Sequence, residues 1–129
     1  MLWRTLSLAM FAALTCAVGL IGAQAQTWPQ KPVRIIVPYA AGGNSDGMAR
    51  ITAQRLTEAF GQSFVIENRL GANGAIATET AARAPADGYT LLWGATPTIT
   101  INPAMTKVNY DPVKDFAPIT VVEIGRAHV

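Results

Sequence analysis

The chain has 129 residues, half of them hydrophobic, with ten Lys and Arg against eight Asp and Glu and a formal net charge of +2. Its single cysteine, Cys16, excludes an internal disulfide and a cysteine-based metal cluster. A charge balance this even, with no basic block, argues against a nucleic-acid binder, which needs a clustered basic face.

At the N-terminus, Arg4 precedes an uncharged stretch from Leu6 to Ile21, and Ala23-Gln24-Ala25 follows. That is the charged region, apolar core and small-x-small site of a secretory signal peptide, with cleavage expected between Ala25 and Gln26. The core falls short of a ~20-residue membrane span, so a retained anchor is the weaker reading. Cys16 leaves with the signal, and Ala13-Leu14-Thr15 before it is a poor lipobox. Removal of 25 residues from 129 leaves 104, enough for one small domain held together by its core alone.

Val33 to Val37 is a near-continuous apolar run rich in β-branched residues, as in buried strands of parallel sheets. A glycine-rich turn follows, and Asn44, Ser45 or Asp46 is placed to cap a helix reaching about Phe60, with Gly61 as its stop. Met48, Ile51, Thr52, Leu56 and Phe60 fall near one face of that helix. A second strand is expected at Ser63 to Glu67, then the turn Gly71-Ala72-Asn73-Gly74 and an Ala-rich helix from Ala75 to Ala84. Tyr89 to Trp93 is the third strand, and Gly94 to Thr100 a loop with three hydroxyls; Asn102-Pro103 reads as a turn. Phe116 to Val122 has the composition of a further strand, close to where the chain stops. It reads as a fragment of a longer protein, with 123–129 as a doubtful truncated tail.

Alternating strands and helices with short connections define an α/β fold with a parallel, Rossmann-like sheet. In the order 2-1-3, the loops after the first and third strands lie side by side at the carboxyl edge, where such sheets bind ligands. Unpaired amides of a helix's first turn and the helix dipole attract an anion there. The glycine loop lacks the Lys and Ser or Thr of a P-loop and the G-x-G-x-x-G spacing of a dinucleotide site.

Gly43-Asn44-Ser45-Asp46-Gly47 does match G-x-S-x-G between strand and helix, which makes a secreted serine hydrolase using Ser45 the alternative. Its base would have to be His128, the sole histidine, in the terminal stretch. Ser45 as helix cap or hydroxyl donor carries more weight. Asp46 serves either as a cap or as an acceptor for a ligand ammonium. No set of metal ligands, and no cofactor site, is legible.

The run from Trp28 to Asp46 resembles the opening of Bug-type receptors, the extracytoplasmic solute-binding proteins of tripartite tricarboxylate transporters. The likeness continues through Val65-Ile66-Glu67-Asn68-Arg69, Pro85 to Leu92, Ile101-Asn102-Pro103 and Tyr110 to Pro118. The resemblance implies a periplasmic receptor that closes two α/β domains on a small carboxylate and delivers it to membrane permease subunits. The full-length protein would be a monomer. By the same resemblance, 26–122 is the N-terminal domain, incomplete as a binding protein because the second domain is missing. Carried over by position, the ligand loop is Tyr39, Ala41, Gly42, Gly43, Asn44, Ser45 and Asp46, with Thr96, Thr98 and Thr100 from the loop after the third strand. The family commonly has Ser-Thr-Asp where this chain has Asn44-Ser45-Asp46. A sensor handing its ligand state to a membrane kinase would share these features.

Overall fold

The computed structural model describes residues 27–122. The signal segment with Cys16 and its cleavage site, His128 and the tail 123–129 lie outside the described residues. Val33–Val37 forms β1, Phe64–Asn68 β2 and Thr90–Leu92 β3. β1 is central and pairs in parallel with both neighbours, giving the order β2-β1-β3. All three strands therefore end at one edge, at Val37, Asn68 and Leu92. The ladder continues briefly beyond them, where Arg69 N–H donates to Val37 O and Trp93 N–H to Ile36 O, both at 2.9 Å.

Helix α1, Asn44–Phe60, covers one face of the sheet. Val33, Ile35 and Val37 bury there against Ala49, Ala53 and Phe64. Each buried Val or Ile side chain contributes roughly 1.5–3 kcal/mol of transfer free energy. The buried stripe of α1 is Asp46, Ala49 and Ala53, a face rotated from the predicted one and sharing none of its residues, and Ile51 points to solvent. Two alanines let the helix backbone lie close on the sheet, which leaves the bulkier residues at the flanks. Phe60 instead joins an aromatic group, its ring 5.4 Å from Trp28 and 6.0 Å from Phe64. Gly61 ends the helix as predicted: at φ 69° its N–H donates to Thr57 O at 2.9 Å.

The opposite face packs against helix α2, Ala75–Ala82. Ile36 and Ala77 are fully buried. Arg34 interrupts the apolar run of β1 and ties the three strands together, donating to Glu67 Oε2 at 3.2 Å and Thr90 Oγ1 at 3.4 Å.

Three further expectations fail. Residues 94–100 do not stay a loop: Pro97–Ile101 winds into a π-helical segment that runs directly into a short helix, α3, Asn102–Met105. Asn102-Pro103 thus lies in continuous helical backbone and is not a turn. The expected strand over Phe116 to Val122 is also absent. None of the described strands lies beside it to form a ladder, and Ile119 and Val121 stay exposed. High β-propensity alone does not make a strand. Among the described residues, no helix is long and apolar enough to cross a membrane.

Candidate functional site

Three loops leave the carboxyl edge of the sheet and meet at Gly74. This glycine is buried with φ +85°, and a Cβ built there would stand 2.4 Å from Thr98 Cγ2 and 3.0 Å from Pro38 Cβ. The turn after β2 thereby touches both the loop after β1 and the segment after β3. Only a residue without a side chain permits that approach. Ala72 and Asn73 before it also have positive φ, 47° and 52°. The turn is fixed from outside by a reciprocal amide pair: Asn73 Nδ2 donates to Asn102 Oδ1, and Asn102 Nδ2 to Asn73 O, both at 2.9 Å. The adjacency of the first and third loops, read from the strand order, thus extends to the second loop as well.

In the first loop, Ala41, Gly42, Gly43 and Asn44 are exposed, Tyr39 and Ser45 are half-buried, and Asp46 is buried. Gly43 occupies the N-cap, with no side-chain cap, in place of the three residues considered above. Asp46, at the third helical position, reaches back past the N-cap and accepts the N–H of Gly42 at 2.8 Å. Its carboxylate also accepts Arg50 Nε–H at 2.8 Å and Asn68 Nδ2–H at 2.8 Å. The Arg50 bond first, then those from Gly42 and Asn68, hold the Asp46 carboxyl well below the usual carboxylate range. Asp46 is therefore turned inward, its charge matched, as a brace for the loop. Asn68 donates to Tyr39 O as well, at 2.9 Å, so the end of β2 pins the loop at two points.

Helix geometry leaves the amides of Asn44, Ser45 and Asp46 without intrahelical acceptors. They stand at the positive end of the 17-residue α1. Such an end favours an anion by about 0.3–1 kcal/mol at exposed sites.

The three threonines after β3 divide. Thr96 and Thr100 lie toward the surface, but Thr98 is fully buried. Its hydroxyl donates to Ala95 O at 2.9 Å and accepts Ala95 N–H at 3.3 Å, so it caps its own segment instead of facing solvent. Tyr110, buried, donates its hydroxyl to Thr98 O at 2.5 Å and stacks edge-on against Phe116 at 6.4 Å. Tyr110→Phe should cost about 1 kcal/mol in urea unfolding, the net worth of one such bond. A cost within error of zero would mean that Tyr110 holds the segment by packing alone.

The sequence does not single out Arg50, Asn68, Asn73 or Asn102 as site residues. An Arg four residues after an Asp on a helix is the one available signal. Among the described residues, no three His, Cys, Asp or Glu side chains group as metal ligands would. A separate open groove of about 340 Å³ runs between α1 and β2, lined by Arg50, Gln54, Thr57, Glu58, Phe64 and Ile66. It contains none of the loop residues.

Residues 48–127 match the model of the tripartite tricarboxylate transporter family receptor. The chain belongs to this receptor family. A UPF0065 protein of Bordetella bronchiseptica is 43% identical over 114 residues, covering 88% of this chain and 34% of the relative. Among solved structures, a periplasmic transporter superposes with a TM-score of 0.65 at 46% identity, over 67% of this chain and 30% of that one. MatC of Rhodopseudomonas palustris, with bound malate, gives 0.61 at 34% identity, over 70% and 31%. This receptor-family chain thus spans about a third of the length of the curated relatives it matches.

Proposed function

We propose that this chain contributes the N-terminal wall, residues 26–122, of a periplasmic receptor for a small carboxylate. The observation that carries the reading is the inward, charge-matched Asp46 beneath the first turn of α1, which leaves open amides at an edge where three loops meet. Tyr39, Ala41, Gly42, Gly43, Asn44, Ser45 and Asp46 form and brace the anion loop. Thr96 and Thr100 flank it, while Thr98 serves by fixing the third segment. Malate bound to MatC supports the ligand class.

The receptor is exported by a signal peptide cleaved near Ala25 and acts as a monomer in its full-length form. It delivers ligand to permease subunits of a tripartite tricarboxylate transporter and catalyses no reaction. A two-domain clamp gains affinity by excluding water from both sides of its ligand, so one wall binds weakly, with Kd on the order of 1 mM. Saturation-transfer NMR suits that range. The expected result is transfer from the chain to malate and none to an uncharged diol of similar size. Equal transfer to both would contradict an anion site.

A further inference from the structure

We propose that Arg50 sets the charge of the anion site, cancelling the negative charge of Asp46 behind the first turn of α1. The inference rests on the carboxylate reading above. Asp46 is 2% exposed and belongs to the same helical turn whose amides would receive the ligand. An unmatched carboxylate there would repel an incoming anion and offset the helix dipole.

The geometry gives Arg50 two jobs. Its Nε–H donates to Asp46 Oδ2 at 2.8 Å, and its Nη2–H to Asn68 Oδ1 at 3.2 Å. Asn68 in turn donates to Asp46 Oδ1 at 2.8 Å, closing a ring of three side chains across α1 and the end of β2. Asn68 supplies dipoles but no charge. Among the described residues, the ion pair of Asp46 is with Arg50. Without the guanidinium, the hydrogen bonds from Gly42 and Asn68 would still hold Asp46 in place, and its charge would be left uncancelled. Position and charge are therefore separable by substitution.

The test compares a dianion, malate, with a monoanion, acetate, each titrated into the ¹⁵N-labelled chain and followed at the amides of residues 44–46. Repulsion scales with ligand charge, so Arg50→Gln should weaken malate roughly tenfold and acetate roughly threefold. Added salt should narrow that gap. Arg50→Lys retains the charge and should keep the malate-to-acetate affinity ratio of the wild type, even if Arg50→Gln proves too unstable to titrate. Equal weakening of both anions, identical behaviour of the Gln and Lys variants, or no weakening would overturn the charge-setting role. Wild-type amides that respond to neither anion would instead overturn the carboxylate reading, and this inference with it.

Discussion

Gly74→Ala should destabilise the domain by about 2–4 kcal/mol, combining a left-handed backbone forced on a residue with a side chain and overpacking at a closed junction. The added methyl would meet Thr98 Cγ2 at 2.4 Å and Pro38 Cβ at 3.0 Å. Neither neighbour yields cheaply. Pro38 is a ring in the first loop, and Thr98 is held by its hydroxyl bonds to Ala95. Gly61→Ala is the control, since Gly61 also has positive φ, 69°, but has nothing within 4 Å of the added methyl. It should show only the backbone part, roughly 1–2 kcal/mol. Adding Thr98→Ser to Gly74→Ala removes the clashing Cγ2 while keeping the hydroxyl. Urea unfolding of the single and double variants should then show recovery beyond additivity. Additive costs would mean that the three loops do not bear on one another at Gly74.

Asp46→Ala removes the acceptor of three donors at once, from Gly42, Arg50 and Asn68. The Gly42 amide, protected by its bond to Asp46, should exchange with solvent far faster, and carboxylate affinity should fall by more than about tenfold. Asp46→Asn keeps an acceptor oxygen for the Gly42 amide, so exchange at Gly42 should lie between. The same substitution flattens the acid limb of stability. The folded-state carboxyl of Asp46 sits below its unfolded value, so the unfolded chain binds the proton more readily. Its contribution is complete above the unfolded carboxyl range near pH ~4 and drains as pH falls toward the lower folded-state value. Glu67 acts in the same direction, lowered first by its bond from Arg69. A slope of stability against pH that is unchanged in Asp46→Asn would remove Asp46 from this role.

Local chemistry makes much of the fold legible. The apolar run of β1, the glycine stop at Gly61 and the short connections are near-neighbour signals, and right-handed crossovers narrow the strand orders to a few, among them the observed β2-β1-β3. The glycine loop proposed to take an anion stands out for the same reason, since a glycine turn before a helix is a local pattern. What escapes is set by contacts distant in sequence. Asp46 is a brace because Asn68 lies 22 residues on, and no local signal marks that pairing. The Asn73–Asn102 pair spans 29 residues. Thr98 turns inward because Pro97 starts a helical segment where a loop is expected. The strand expected over Phe116 to Val122 shows the converse error: its composition is local, but a strand exists only with a partner.

An amide-resolved ¹H–¹⁵N titration of the chain with malate tests the carboxylate site most directly. Saturable shifts should concentrate at Gly43, Asn44, Ser45 and Asp46, with the amides lining the groove between α1 and β2 unmoved. Shifts centred on that groove, or none at the first turn of α1, would contradict a carboxylate site there.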